Sequence, residues 1–227
     1  MKRSALSAAL IAPMAFGTAA LGAVYDIDTT HSTVQFTVKH LMVTNVKGEF
    51  SKFRGTVDID EKDPTKSKAE TVIETASVDT REPKRDEHLR SPDFFDAAKN
   101  PEMTFRSKSI RKAGTNKYKV TGDLTLKGVT KEVVLDAEMP AREVKDPYGN
   151  LKRGLTAATK INRKDFGLTW NAPVEAGGVV VGDEVMINLD LELTRRKDPG
   201  AAPTATTPAP TTTQQAAPAG APAPAKK

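Results

Sequence analysis

The densest group of reactive side chains in this 227-residue chain lies in the stretch RDEHLRSPDFF, from Arg85 to Phe95. It places two arginines, two aspartates, a glutamate and a histidine within a few residues of one another. His88 with Asp86 would form an acid/base pair of the kind used in general acid-base catalysis. Phe94 and Phe95 at the end of the stretch favour burial instead, so the alternative is a lid that is held in place by its charges.

The rest of the sequence lends little support to catalysis or metal binding. The chain has three histidines, His31, His40 and His88, and no cysteine, and their spacing does not match a zinc motif. It contains neither GxxxxGK[ST] nor GxGxxG, the glycine-rich patterns that hold phosphates. We therefore predict a protein that is not an enzyme and has no cofactor or metal. An enzyme that uses His88 and Asp86 on a lipid-like substrate is the alternative.

The two ends of the chain differ from its middle. Residues 1–23 have the layout of a secretory signal peptide, with Lys2 and Arg3 before an apolar run and small residues near Ala23. That apolar run is shorter than the roughly 20 residues of a membrane span. Residues 198–227 are rich in proline, alanine and threonine and predict a disordered tail. The sequence thus predicts a periplasmic or secreted protein, with envelope attachment through the tail as an alternative role.

Residues 24–197 are long enough for one domain with a substantial core. The formal net charge of the chain is +5, of which Lys2 and Arg3 supply +2 and residues 198–227 supply +1, leaving +2 for the domain. Acidic and basic residues are interleaved along it, which disfavours nucleic acid as a partner. The sequence leaves open a homodimer formed through an outward-facing strand.

Apolar and polar residues alternate with a period of two through most of the domain, as in strands that bury one face. The clearest case is EVMINLDLELT, in which Val185, Ile187 and Leu189 share a face with Leu191 and Leu193. About nine such segments occur without a βαβ rhythm, and they favour an all-β fold, either an antiparallel barrel or a sandwich. Weaker strand candidates are 24–29, 68–78, 102–110 and 154–162.

The predicted inward face carries unusually small or hydroxyl-bearing residues. These are Gly55, Gly122, Ala137, Ala157, Thr71, Thr75, Ser107 and Thr159. A close-packed core would use larger apolar groups at such positions. The pattern favours an elongated apolar cavity with a few polar groups, as in small barrels that hold one ligand. The alternative is that small residues relieve crowding where strands bend.

The segment SPDFFDAAKNP predicts a short helix outside the strands. Ser91 suits the N-cap position, Pro92 suits the first helical position, and Pro101 prevents the helix from continuing. We expect Phe94 and Phe95 on this helix to plug one end of the barrel.

Four segments together resemble the YceI-like family of periplasmic lipid-binding proteins: YDIDTTHSTVQFTVKHL, RDEHLRSPDFFDAAKNPEMTFRS, GDLTLKGVTKEVVL, and INRKDFGLTW followed by VGDEVMINLDLEL. The resemblance spans Tyr25 to Thr194. It implies a lipocalin-like antiparallel β-barrel that binds a polyprenyl phosphate or an isoprenoid quinone in an internal tunnel, for transport or storage.

The expected ligand-binding residues fall into three groups. The predicted cavity wall comprises Val34, Phe36, Val38, Phe105, Leu124, Val133, Leu135, Ile187 and Leu189. The predicted end closures are Phe94, Phe95, Phe166 and Trp170. Hydrogen bonds to a polar head group are expected from Arg85, His88, Arg90, Asn162 and Arg163. Ordinary core packing is the alternative role for each apolar residue.

Overall fold

The computed structural model describes residues 22–173 and 178–197. The predicted tail and almost all of the predicted signal segment lie outside these residues, and Ala23 begins the first strand. The strands are β1 Ala23–Ile27, β2 Thr33–His40, β3 Thr44–Phe50, β4 Phe53–Ile59, β5 Lys68–Glu74, β6 Val78–Asp79, β7 Glu102–Gly114, β8 Lys117–Leu126, β9 Val129–Glu138, β10 Val144–Lys145, β11 Leu151–Asn162 and β12 Val181–Arg195, and one helix, α1, covers Pro83–Arg90.

Eight antiparallel strands close into a barrel in the order β1, β4, β5, β7, β8, β9, β11 and β12, after which β12 pairs again with β1. The 15-residue strand β12 makes the closure possible. Its last residues pair with β1, whereas Val181 and residues 185–190 pair with β2, which forms a hairpin with β3. The predicted all-β antiparallel barrel with one short helix is therefore confirmed.

The period-two pattern places the expected residues inside. Leu191 and Leu193 on β12 are buried, as are Leu124 and Leu126 on β8. The prediction of one extended segment over 68–78 was wrong, because β5 ends at Glu74 and a 3-10 turn follows. Thr75 in that turn donates its hydroxyl to the Asn100 carbonyl oxygen at 2.7 Å, which draws the chain away from the ladder.

The helix begins nine residues earlier than predicted. The prediction of Ser91 as N-cap and Pro92 as first helical residue was wrong, because α1 begins at Pro83 and Ser91 caps its C-terminus, donating its N–H to the His88 carbonyl oxygen. The Glu82 carboxylate accepts hydrogen bonds from the first backbone N–H groups of α1, a capping role that is uncommon for glutamate. Phe94 lies in the turns that follow the helix.

The two ends of the barrel differ in packing. At one end Tyr25, Ile59 and Leu193 are almost completely buried, and the Tyr25 hydroxyl donates to Glu143 at 2.5 Å. Burial, followed by this hydrogen bond, raises the pKa of Tyr25. At the other end, helix α1 and the turns after it, residues 83–99, cover the barrel, and we call this segment the lid. No helix within the described residues is long and apolar enough to cross a membrane.

Candidate functional site

An apolar cavity of about 210 Å³ lies inside the barrel. Every strand except β6 and β10 contributes side chains to it, and Leu89, Phe94 and Phe95 of the lid close it at one end. Among the described lining residues, only Arg163 carries a charge. Such a site offers hydrophobic contact along its length and little hydrogen bonding, which suits a hydrocarbon chain.

The structure brings most of the predicted apolar residues to this cavity. The predicted wall residues that line it are Val34, Phe36, Val38, Phe105, Leu124, Val133, Leu135, Ile187 and Leu189. Phe94 and Phe95 line it as end closures. Phe166 lies outside the lining and is buried in the core, and Trp170 packs on the lid instead.

Several of these side chains face the barrel interior without being fully buried. Phe36, Phe105, Ile187 and Leu189 are only partly buried although they pack against the core. All four line the cavity. A core filled to normal protein density would cover such surface, so the interior has room for a ligand.

The glycines on the inward face do not create this room, contrary to our expectation. A Cβ on Gly122 would lie 2.5 Å from Cζ of Phe105, and a Cβ on Gly55 would lie 2.8 Å from Cδ1 of Ile27. Each glycine therefore allows a neighbouring side chain to lie across the sheet. For these two positions the alternative, relief of crowding, is correct.

Two alanines do leave space. Ala157 on β11 pairs with Ala137 on β9, and both line the cavity together with Leu135. Thr71 and Thr159 also line it, and Thr159 donates its hydroxyl to the Val134 carbonyl oxygen at 2.8 Å. The cavity therefore exposes few polar groups that lack a partner in the fold.

Arg163 reaches the cavity but is fully engaged by the protein. Its side chain is 3 % exposed. Its guanidinium donates to the carbonyl oxygens of Gly182, Leu168, Trp170 and Val181 and, more distantly, to Asp183. Burial lowers its pKa, and the Asp183 carboxylate partly offsets this effect. These bonds use the five N–H donors of an arginine, so the expected head-group role of Arg163 conflicts with the structure.

Arg85 and Asp86 brace the loop before α1 and lie outside the cavity lining. The Asp86 carboxylate accepts from the Thr80 N–H at 2.9 Å and from its hydroxyl at 2.5 Å. Arg85 donates to the Thr80 hydroxyl at 2.7 Å and to its carbonyl oxygen at 2.8 Å. The predicted network of charges is thus built mainly from bonds to one threonine and its backbone.

Two further predicted head-group residues also have structural partners outside the lining. Arg90 donates to the carbonyl oxygens of Ala76 and Val78 at 2.7 and 2.8 Å. The Asn162 side chain accepts from the Lys164 N–H at 2.9 Å and caps the 3-10 turn that follows β11. Both side chains hold turns at the lid end of the barrel.

His88 lies on the outer side of the lid among aromatic rings. Its Nε2 lies 2.9 Å from a carboxylate oxygen of Asp93, whereas Asp86 binds Thr80. The imidazole packs edge-on against Phe94 and Trp170, with ring centroids 5.0 and 4.8 Å away. The acid/base pair of His88 with Asp86 is therefore not formed.

The lid is attached to the barrel by contacts that the sequence pattern did not indicate. The Phe95 ring packs edge-on against Phe50 at 5.6 Å. Lys127, in the β8–β9 turn, donates its amine to the Pro92 carbonyl oxygen at 2.7 Å and to that of Gly167 at 3.4 Å. One lysine thus connects the lid to the 3-10 turn that includes Phe166.

Residues 25–193 match the YceI-like domain, which covers the barrel and the lid. The chain belongs to the YceI-like family. Protein YceI of Escherichia coli O157:H7 is 42% identical over 170 residues, covering 74% of this chain and 88% of that protein. A UPF0312 protein of Pectobacterium atrosepticum is 40% identical over 171 residues, with the same two coverages.

Solved structures share this YceI-like fold. BcnA of Burkholderia cenocepacia has a TM-score of 0.65 at 28% identity, over 73% of this chain and 98% of that chain. The Campylobacter jejuni YCEI protein has a TM-score of 0.61 at 36% identity, over 70% and 90%. A polyisoprenoid binding domain from Saccharophagus degradans has a TM-score of 0.56 over 76% and 98%, and its 16% identity supports likeness of fold alone.

The YceI-like barrel also carries a cluster of potential metal ligands on its surface, formed by Asp28, His31 and Glu192. The Lys152 amine lies 2.7 Å from Asp28 and 2.9 Å from Glu192, so a cation of the protein already neutralises both carboxylates. Burial raises the pKa of Asp28, but hydrogen bonds from Lys152, His31 and Thr30 outweigh it and lower the pKa to about 2. The cluster therefore acts as an ion-pair network.

A second, open cleft of about 670 Å³ lies beside α1. Its lining mixes both charge signs, including Lys52, Glu74, Arg81 and Glu82. The neighbouring Asp86 carboxylate is already bound to Thr80. Because these charges offset one another, the apolar cavity is the stronger candidate for the site of this YceI-like protein.

Proposed function

We propose that this protein binds one isoprenoid lipid inside its barrel and carries or stores it in the periplasm or outside the cell. A polyprenyl phosphate or an isoprenoid quinone is the ligand class we favour. The observation that carries the proposal is the apolar cavity enclosed by the barrel and the lid. The fold shared with a protein described as a polyisoprenoid binding domain supports the same ligand class.

Chain burial alone can supply the affinity. Each methylene group removed from water contributes about 0.8 kcal/mol, so a prenyl chain needs no strong polar anchor.

The cavity of about 210 Å³ is smaller than the several hundred Å³ typical of ligand pockets. A long chain must therefore displace side chains or extend past an end of the barrel. The lid end is the better exit, since the opposite end is filled by Tyr25, Ile59 and Leu193.

The head group should then lie near the lid and outside the apolar lining. Arg85, Arg90 and Arg163 already donate to backbone carbonyl oxygens. Arg90 and Asn162 keep exposed surface as well, but both bond to backbone groups of nearby turns. The His88 side chain, at the outer side of the lid, is 38% exposed and contacts Asp93. We therefore expect chain length to influence affinity more than head-group charge does.

We infer binding without chemical conversion of the lipid. The one acid/base pair that the sequence suggested, His88 with Asp86, is replaced by separate contacts of His88 with Asp93 and of Asp86 with Thr80. Both contacts support the position of the lid. The arrangement favours a binding protein over the alternative of an enzyme acting on a lipid-like substrate.

Native mass spectrometry of the exported protein tests the proposal. We expect a complex with one lipid, and denaturation followed by lipid mass analysis should identify an isoprenoid. Protein that has been stripped of lipid and then incubated with polyprenyl phosphate or with an isoprenoid quinone should regain the one-to-one complex. Failure to form it with either lipid would contradict the proposal.

A further inference from the structure

The turn between β2 and β3 carries three apolar residues into solvent. Leu41 is 42% exposed, Met42 is 61% exposed and Val43 is 82% exposed. We call these three residues the apolar tip. Resting on the proposed function, we propose that the apolar tip inserts into the surface of an anionic membrane and thereby brings the barrel to its lipid source.

The backbone of the apolar tip is unusual for a turn that faces only water. Leu41 has a φ of 51° and Met42 a φ of 59°, a region that bulky side chains rarely adopt. The Val43 N–H donates to the His40 carbonyl oxygen, which leaves Leu41 and Met42 as the central residues of the turn. Turns with positive φ at both central residues normally use Asn-Gly or a related pair. Strained residues of this kind cluster at functional sites, where the strain has a role. Here the strain holds large apolar side chains at the most exposed point of the hairpin.

Charge around the apolar tip matches an anionic surface. The sequence has no aspartate or glutamate from Thr29 to Gly48, and Lys39 and Lys47 lie on the two strands that lead to the tip. On the neighbouring strand β12, Asp183 pairs with Lys164 and Glu184 pairs with Lys160, each at 2.8 Å. Among the described residues neither lysine forms an ion pair, and an apolar point beside such lysines is the combination that binds the interface of anionic bilayers.

The apolar tip adjoins the cavity. The Leu41 N–H donates to the Val180 carbonyl oxygen at 2.8 Å. The next residue, Val181, pairs with His40 and lines the cavity, as does Val38 on β2. The tip therefore lies at the lid end, where we expect a prenyl chain to pass. A protein docked through this tip would present its cavity close to the membrane surface.

Flotation with vesicles tests the proposal on the full mature protein. The vesicles contain phosphatidylethanolamine and phosphatidylglycerol but no isoprenoid, and neutral phosphatidylcholine vesicles serve for comparison. We expect binding to the anionic vesicles. Val43→Asp should reduce it by at least about tenfold, since burial of one valine side chain is worth that factor. Val144→Asp introduces the same change at a valine that is 55% exposed on β10 and should bind like the parent.

Three results would overturn the proposal. The first is absence of binding to anionic vesicles, and the second is an equal loss of vesicle binding in Val43→Asp and Val144→Asp. The third is a dimer, seen by light scattering, that Val43→Asp alone converts to a monomer, because the apolar tip would then be a subunit contact. Because the vesicles contain no isoprenoid, failure here leaves the carrier function standing if the stripped protein still binds an isoprenoid. If the protein floats with anionic vesicles but does not bind an isoprenoid, the carrier function is wrong and the membrane contact stands.

Discussion

Burial and hydrogen bonding decide what each charged residue near the site can do. Sequence patterns placed Arg163 at the mouth as a head-group donor, because charge and position were all they could indicate. Four of its donors instead bind backbone oxygens of the segment after the 3-10 turn and of the start of β12, and the fifth faces the Asp183 carboxylate. The apolar wall residues were predictable because strand alternation fixes which side chains face inward. Hydrogen-bond partners depend on how the loops fold, so alternation could not indicate them: Arg163 binds carbonyl oxygens five and seven residues away as well as those of β12.

Removing the Arg163 donors should destabilise the fold. We expect Arg163→Met to lower the free energy of unfolding by about 3 kcal/mol, because several buried carbonyl oxygens lose their partners. Urea unfolding of the purified variants measures this change. Lys164→Met is the matched control, since it removes one exposed ion pair with Asp183 and should cost less than about 1 kcal/mol. Equal stability of parent and Arg163→Met would show that these hydrogen bonds contribute nothing to the free energy of unfolding.

Asp28 should make stability depend on pH. Its folded pKa of about 2 lies below the value of about 3.9 expected when unfolded. The ionised carboxylate therefore stabilises the fold above about pH 4, and that contribution is lost as pH falls towards about 2.

Asp28→Asn isolates this contribution. At neutral pH we expect the variant to be less stable than the parent by about 2 kcal/mol, and the difference should shrink as the pH falls towards about 2. Denaturant unfolding of both proteins across this range provides the measurement. A difference that stays constant with pH would assign the effect to packing.

At the scale of elements, most of the long strands could be predicted and the helix could not. Alternation along these strands indicates their inward faces from the sequence, apart from the register shifts in β7 and β12. Helix α1 begins after Glu82, a residue that rarely caps helices, whereas the better capping residue Ser91 ends it. Tertiary contacts determine that residues 83–90 form the helix and that the residues after Ser91 form turns, since in this arrangement Leu89 and Phe94 both reach the cavity. Propensity alone could not indicate this packing.

The attachment of the lid through Lys127 can be tested by hydrogen exchange. Lys127→Met keeps the aliphatic stem but removes the bonds to Pro92 and Gly167. We expect exchange of the lid amides to accelerate about fivefold, as loss of about 1 kcal/mol would give. Lys131→Met, on strand β9 of the same hairpin, is the control and should leave the lid unchanged. Unaltered exchange in Lys127→Met would mean that the rings of Phe94 and Phe95 hold the lid without it.

For the whole molecule, closure of the barrel creates the site. Eight strands that each bury one face leave an enclosed volume, and Ala137 and Ala157 keep part of it open. The barrel class and the apolar wall could be predicted, since both follow from alternation. The cavity's size could not, because Gly55 and Gly122 were expected to add space and instead admit the side chains of Ile27 and Phe105.

Filling the cavity tests the central claim most directly. Ala157 lines the cavity, whereas its neighbour Ala158 pairs with Asp136 and Asn188 on the opposite face of the sheet. We would titrate lipid-free parent, Ala157→Phe and Ala158→Phe with a fluorescent isoprenoid analogue, after cooperative thermal unfolding has shown that each is folded. The account predicts that Ala157→Phe weakens binding by at least about tenfold and that Ala158→Phe does not. Binding by Ala157→Phe as tight as that of the parent would contradict it and place the lipid outside the barrel.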